Sequence, residues 1–428
     1  MRRTPFIIVG LTLLSAVLLT GMPATSHPVE PGDGKDAPVA VDPNFPDSSE
    51  APEASPQPCV NGMAGYFPCK NVNLASFLPM SEIGGGRGSD MWGWTDPQTE
   101  RRYVIAARDT GTSFVDVTNS RKPMYLGNLP NSGTQDVIWH DVKVYADHAF
   151  IVSEGREHGM QVYDLRQLRD IDRAEAPVTF TETAHYTDFG RAHNLAINED
   201  SGYAYAVGVR EDQHSCASGL HMVDIRDPSA PVFAGCFADD GYTHDTECVI
   251  YDGPDTQHAG REICLNSNVD TLTIVDVTDK AAPVMLSSIG YEGSAYTHQG
   301  WLTEDSRHFL VGDELDELQF SHNTKTLIWD VSDLDAPRLV GKHTAETKAI
   351  DHNMYIKGNL LFQSNYLAGL RILRLDDVAE AKLTEVAYFD VWPQSDDTAF
   401  GGTWSNYPFF DNGIVAVHGF NGLFLVQP

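Results

Sequence analysis

Three observations predict an all-β fold, a seven-bladed β-propeller of four-stranded blades. A unit of about 50 residues repeats along the chain, its strands are short and rich in β-branched and aromatic residues, and it starts seven times. The third strand of the unit is clearest at residues 220–225 and 272–277, where an Asp precedes a Pro-containing turn. Two of the starts lie near residues 89–92 and 402–404. The other five are histidines at intervals of 53, 51, 54 and 54 residues: His140, His193, His244, His298 and His352.

The ring is predicted to close through the two ends of the repeat region. The seventh unit supplies only three strands, at residues 404–410, 413–418 and 423–426. Residues 71–78 resemble the outer strand at residues 231–237. We therefore expect residues 71–78 to complete the last blade, which leaves no unfinished blade edge.

The chain of 428 residues divides into three predicted parts. Arg2 and Arg3 precede an apolar run and a small-residue cleavage site, which is typical of a secretory signal peptide over residues 1–26. An uncleaved anchor is the alternative; after cleavage we expect no membrane span. Residues 27–58 contain eight Pro and few large apolar residues, so we expect a disordered linker. Residues 59–428 form the propeller.

The charge of the chain excludes one class of partner. It has 29 Lys and Arg against 60 Asp and Glu, a formal net charge of −31. A nucleic-acid backbone binder needs a basic surface, so nucleic acid is excluded. The same charge argues against docking on an anionic membrane. We expect a monomer.

The cysteines predict an oxidising compartment and three disulfides. All six follow the predicted signal peptide, and no CxxC spacing supports a cysteine metal site. One pair closes a small loop before the closing strand, one joins a third strand to a fourth, and one spans a turn centred near residue 256. The predicted pairs are Cys59–Cys69, Cys216–Cys236 and Cys248–Cys264.

The strand motifs carry a resemblance to a known family. Met-Val-Asp-Ile at 222–225 and Ile-Val-Asp-Val at 274–277 resemble LVIVD repeats. Together with starts such as Trp139-His-Asp, residues 59–428 resemble the choice-of-anchor B family of exported bacterial proteins. The resemblance implies an exported repeat protein of unknown biochemical activity. Members often carry a carboxy-terminal anchoring segment, whereas Pro428 ends a predicted strand, so we expect a soluble secreted, extracellular or periplasmic state.

The histidines point to a site at one mouth of the central channel. First strands line the channel of a propeller, and the loops between second and third strands return to the face where first strands begin. Those loops, and the matching strand of the last blade, bring polar side chains to the five histidines: Glu154, Glu211, Asp212, Asp313, Glu314 and His418. Neutral imidazole is a common ligand of Zn, Cu and Fe, so one hypothesis is a divalent metal site. The alternative is structural, with each His bonded to the backbone of its own or a neighbouring blade.

Two further features have two interpretations each. The acidic residues 313–317 are a weaker candidate for Ca²⁺ and are interpreted as a solvated loop. Five tryptophans near blade starts either pack inner strands or line a glycan or peptide site: Trp92, Trp94, Trp139, Trp301 and Trp404.

The predicted function is a binding or interaction scaffold outside the cytoplasm. Its ligand at the channel mouth is an unknown protein, glycan or small molecule, because loops on a rigid scaffold are where recognition usually lies. The alternative is a metal-dependent extracytoplasmic enzyme that uses the histidine ring. A third class is an envelope component with a purely structural role.

Overall fold

The computed structural model describes residues 56–210 and 216–428, which form a ring of seven β-sheets. Each sheet has a core of four antiparallel strands. The first strands of neighbouring sheets contact one another around a central channel. This arrangement is a seven-bladed β-propeller, so the predicted fold class is confirmed.

In each blade the first strand lies at the channel and the fourth strand lies at the outer edge. Blade 1 contains Gly88–Thr95, Arg102–Arg108, Gly111–Asp116 and Met124–Pro130, and blade 2 contains His140–Tyr145, His148–Ser153, Met160–Asp164 and Ala184–Tyr186. Blade 3 contains Asn194–Asn198, Tyr203–Val207, Leu220–Asp224 and Val232–Phe237, and blade 4 contains Asp245–Ile250, Glu262–Ser267, Thr271–Asp276 and Val284–Gly290. Blade 5 contains Thr297–Leu302, His308–Asp313, Lys325–Asp330 and Arg338–Thr344, and blade 6 contains Met354–Lys357, Leu360–Ser364, Leu370–Asp377 and Lys382–Phe389. Blade 7 contains Thr403–Tyr407, Val415–Gly419, Gly422–Gln427 and Asn73–Pro79.

A few short elements lie outside this pattern. Phe67–Lys70 and Met63–Ala64 extend blade 6, and Val178–Thr179 pairs in parallel with the fourth strand of blade 1. The described helices are an α-helix over Asp316–Phe320 and 3₁₀ turns over Met80–Glu82, Leu165–Asp170, Cys216–Ser218 and Val378–Glu380. Within the described ranges, no helix has the length and apolar character needed to cross a membrane.

Blade 7 joins the two ends of the described chain. Asn73–Pro79 pairs antiparallel with Gly422–Gln427, and the rings of Phe77 and Phe424 stack with centroids 4.3 Å apart. The predicted closure is therefore confirmed. The predicted signal peptide (1–26) and most of the predicted linker (27–58) lie outside the described residues.

The fourth strands share one irregularity that the sequence repeat did not reveal. In six blades, a single residue of the fourth strand has no counterpart in the third. These residues are all apolar: Ala75, Leu126, Ala234, Leu286, Val340 and Val386. A bulge of this kind increases local twist, so it gives these blades a common curvature.

Two smaller predictions also hold. Asp224, Asp276 and Asp330 end third strands, and each carboxylate accepts a backbone N–H bond of 3.0 Å from the residue two positions later. The turn role of these aspartates is thus confirmed. The three predicted disulfides are present, with Cα–Cα distances of 5.9, 5.3 and 4.0 Å, in the order Cys59–Cys69, Cys216–Cys236 and Cys248–Cys264. They indicate an oxidising environment.

Candidate functional site

Four of the five blade-start histidines form an arc of neighbouring rings at one mouth of the channel. The centroids of His193 and His244 lie 4.3 Å apart, as do those of His244 and His298. The next separation, from His298 to His352, is 4.4 Å. All four side chains are buried. They meet because each lies at or next to the start of a first strand, and these strands are neighbours around the channel.

The fifth histidine, His140, and the predicted mouth residue His418 have other partners. The Nε2 atom of His140 lies 3.1 Å from Asn131 Oδ1, and its ring packs 5.5 Å from that of His158. The ring nitrogens of His418 lie 3.0 Å from the carbonyl oxygen of Gly422 and 3.2 Å from a carbonyl oxygen of blade 1. The contacts of His418 are to backbone, as the structural interpretation expects, whereas these contacts of His140 are to side chains.

His418 leads to a prediction about acid stability. Burial lowers its pKa to about 4, and the nearby Arg108 also disfavours the cation. The unfolded chain takes up this proton near pH 6.5, so stability falls as the pH decreases from about 6.5 to 4, by about 3 kcal/mol for this group. The variant His418→Gln has no imidazole to protonate. We therefore expect the difference in free energy of unfolding between wild type and His418→Gln to shrink by up to that amount between pH 7.5 and 4.5, as measured by urea unfolding. An unchanged difference between the two proteins would contradict this assignment.

Glu154 contacts the arc directly at one end. Its Oε1 atom lies 2.7 Å from His193 Nδ1. If Nδ1–H donates to this carboxylate, Nε2 of His193 is the nitrogen that carries the lone pair. Two other predicted acids of this mouth, Glu211 and Asp212, lie outside the described residues.

Glu314 lies between two histidines at the other end of the arc. Its Oε2 atom is 3.5 Å from His298 Nε2, and its Oε1 atom is 3.7 Å from His352 Nε2. All three side chains are buried, and one ligand atom from each falls within a group no more than 4.8 Å across. Two imidazoles and one carboxylate therefore lie close enough together for a single ion to reach all three.

Two neighbours hold this group in orientation. The hydroxyl of Tyr366 donates to Glu314 Oε1 at 2.6 Å. The Nδ1 atom of His352 lies 2.6 Å from the carbonyl oxygen of Trp404, an acceptor, so Nδ1 carries the proton. The lone pair of His352 Nε2 then faces a carboxylate oxygen, an arrangement that a cation between the two atoms would stabilise.

The acidic residues 313–317 are buried, so their interpretation as a solvated loop was wrong. Asp313 accepts N–H bonds from Tyr296 at 2.6 Å and Ala295 at 2.9 Å, and an O–H bond from Tyr291 at 2.7 Å. It fixes the segment that leads into blade 5 instead of facing the histidines. Asp316 and Glu317 form the first turn of the short helix Asp316–Phe320, and both are buried.

Three carboxyl groups beside this group are buried together. Asp316, Glu317 and Asp351 are 4%, 1% and 1% exposed. Neither carboxyl oxygen of Glu317 or Asp351 has a hydrogen-bond partner in the described ranges. Burial raises the pKa of all three groups, and repulsion from nearby carboxylates adds to each shift. The surroundings of the mouth thus favour an added positive charge.

Sequence reasoning missed several residues of this site. Tyr366, the carbonyl of Trp404 and Asp351 have no repeat pattern that marks them, although Asp351 directly precedes His352. Contacts between blades bring them to the mouth, and these contacts depend on how neighbouring sheets are rotated. Position in the repeat therefore identified the histidines of the arc and not the groups that orient them.

The fold and the repeats define the chain as a repeat β-propeller. The sequence model of the LVIVD repeat matches residues 190–239 and 267–290. No curated protein sequence matches the chain.

Solved structures resemble the chain in fold. The WD40 repeats of RRP9 align with a TM-score of 0.53 at 9% identity, covering 84% of this chain and 99% of that one. A Lactobacillus plantarum protein aligns at 0.49 and 16%, covering 72% and 84%. The periplasmic gluconolactonase of Pseudomonas aeruginosa aligns at 0.49 and 10%, covering 73% and 86%. At these identities the likeness concerns the fold alone.

Proposed function

We propose that this chain is an exported binding scaffold that holds a divalent transition metal ion, Zn, Cu or Fe, at the histidine mouth of its channel. The observation that carries the proposal is the position of Glu314, 3.5 Å from His298 Nε2 and 3.7 Å from His352 Nε2. These separations are long for hydrogen bonds. They are close to the distance of about 3.4 Å between two ligand atoms that each lie about 2.1 Å from a tetrahedral zinc ion.

The chemistry of the group favours a transition metal. Ca²⁺ prefers oxygen ligands alone, whereas imidazole suits Zn, Cu and Fe. His244, with its ring centroid 4.3 Å from that of His298, is the candidate for a further ligand. Tyr366 and the Trp404 carbonyl would orient the ligands from behind.

The compartment and the partners complete the proposal. Three disulfides and the resemblance to the choice-of-anchor B family support export to the periplasm or the medium. The metal-bearing mouth of a monomeric, rigid propeller would be the surface that meets a protein, glycan or small molecule. Catalytic zinc sites also use three protein ligands, so a metal-dependent enzyme is the second candidate. Metal-dependent turnover of a substrate would distinguish the two.

The test measures metal content and affinity in matched variants. We expect protein purified without chelators to contain about one Zn, Cu or Fe per chain by elemental analysis. Glu314→Gln keeps an acceptor for Tyr366 and removes the anionic ligand. It should weaken Zn²⁺ or Cu²⁺ binding at least about 100-fold, measured by competition with a chromogenic chelator.

A control variant separates this site from general effects on folding. His308→Gln changes a histidine on the second strand of the same blade, outside the arc, and should leave affinity unchanged. Metal below about 0.2 per chain, with no thermal shift on adding Zn²⁺ or Cu²⁺, would refute the proposal. Equal affinity in Glu314→Gln and wild type would refute the assigned ligands.

A further inference from the structure

The central channel encloses a second candidate site, beyond the histidine mouth. It forms a cavity of about 420 Å³ lined by the first strands. Five lining residues lie three positions after the blade-start histidines: Lys143, Ala196, Glu247, Trp301 and Tyr355. First strands run away from the mouth, so the cavity lies deeper in the channel. Glu199 and Asp200, both exposed, place its opening at the opposite face.

One side of the cavity is aromatic. The ring of Trp301 lies 5.0 Å from Tyr355 and 6.0 Å from Phe409, and that of Trp92 lies 5.7 Å from Tyr355. Of the five tryptophans near blade starts, Trp92 and Trp301 line this cavity. Trp94, by contrast, is 5% exposed and stacks on a neighbouring ring.

The lining of the cavity also carries excess negative charge. The ammonium group of Lys143 lies 2.5 Å from Asp141 Oδ1 and 3.8 Å from Asp90 Oδ2, so it is already shared by two carboxylates. No Lys, Arg or His of the described ranges forms an ion pair with Asp245 or Glu247.

Asp245 and Glu247 have only neutral donors. Asp245 accepts from the Asn194 amide at 3.3 Å and from the N–H of Thr246, and Glu247 accepts from the Leu302 N–H at 2.6 Å. Both carboxylates line the cavity, and no cationic side chain of the described ranges is paired with either of them.

The ionisation of Glu247 supports a missing cation. Burial, with Asp245 nearby, raises the pKa of Glu247 to about 8. A cation in the cavity would favour its ionised form. Buried carboxyl groups with raised pKa values that line a cavity are typical of binding sites.

We propose that this cavity binds a small organic cation, an ammonium group on an aromatic or apolar body. The carboxylates of Asp245 and Glu247 would take the ammonium group, and Trp92 and Trp301 would cover the body. Aromatic faces attract cations, and Lys143 Nζ already lies 5.0 Å from the Trp92 ring centroid. A volume of about 420 Å³ is within the usual range for small-molecule sites.

The charge and the walls select this ligand class over others. An anion would face at least two carboxylates that have no cationic partner, and a hydrated metal ion would leave the aromatic wall without a contact. A neutral sugar would use the aromatic rings and leave the charge uncompensated. The proposal does not depend on metal at the histidine mouth, since the two sites share no side chain.

The test compares three ligands of one shape and different charge. Phenethylamine, 2-phenylethanol and phenylacetate are titrated into the full chain at pH 8.5 by calorimetry, with tryptophan fluorescence as a second readout. We expect phenethylamine to bind at least about tenfold more tightly than 2-phenylethanol, and phenylacetate not to bind.

Variants assign the effect to the cavity. Glu247→Gln keeps the acceptor for the Leu302 N–H, and should weaken phenethylamine binding about tenfold while leaving 2-phenylethanol unchanged. Glu292→Gln, at an exposed site, is the matched control and should leave phenethylamine binding unchanged. Equal affinity for the amine and the alcohol, no amine binding below about 5 mM, or equal amine binding by Glu247→Gln and wild type would each overturn the proposal.

Discussion

A chain that begins at residue 80, and so lacks residues 56–79, will fail to form a stable monomer. This deletion removes Asn73–Pro79, the fourth strand of blade 7, and with it the pairing to Gly422–Gln427. Leu74 and Leu78 are only 5% and 6% exposed, and their loss opens the apolar core on both sides of that blade. We expect the melting temperature to fall by at least about 10 °C, or a collapse into aggregates through the exposed strand edge.

The matched control is a chain that begins at residue 56. It keeps the closing strand and should match the full chain in melting temperature and remain monomeric. If the chain from residue 80 onward were monomeric and as stable as this control, closure by the amino-terminal strand would contribute little. Blade 7 would then have to be stable with three strands.

Lys280→Met is expected to lower the free energy of unfolding by about 3–5 kcal/mol. The ammonium group of Lys280 lies 2.6 Å from Glu262 Oε2, and both side chains are buried. Glu262 also accepts bonds from Asn198 at 2.7 Å and Tyr205 at 2.6 Å, both in blade 3. Without Lys280, a buried carboxylate that joins blades 3 and 4 loses its counter-charge. Urea unfolding at pH 7 measures the loss.

Two comparisons test the cause of this loss. The double variant Lys280→Met with Glu262→Gln should be more stable than Lys280→Met alone, because no unpaired charge remains. Arg374→Met breaks the ion pair with Asp376, in which both side chains are partly exposed, and should leave stability almost unchanged. A similar small effect for Lys280→Met would show that water reaches Glu262.

Much of the architecture could be predicted because it depends on local periodicity. Strand alternation and the interval between histidines can be seen directly in the sequence. They were sufficient to predict the number of blades and the closure of the ring. The repeat also marks residues that line the cavity, since Lys143, Glu247 and Trp301 follow their histidines by three positions. This repeated position was not recognised in the sequence because its side chains differ in type from blade to blade.

The candidate site was less predictable because it depends on packing between blades. His140 shares the repeat position of His298, yet it packs on His158. Residues 313–317 have the composition of a surface loop and are buried, because a short helix folds them against blade 6. The pair Lys280–Glu262 joins residues 18 positions apart, a spacing that no strand pattern marks.

The position of the closing strand also constrains the order of events during biogenesis. A chain that crosses a membrane amino terminus first delivers Asn73–Pro79 long before its partner Gly422–Gln427. If the chain is exported as proposed, the ring cannot be completed until almost the entire polypeptide has been translocated. Cys216–Cys236 and Cys248–Cys264 join residues only 20 and 16 positions apart, so oxidation of these pairs requires no finished ring. Single blades can thus be cross-linked in a chain whose final assembly still awaits its last strand.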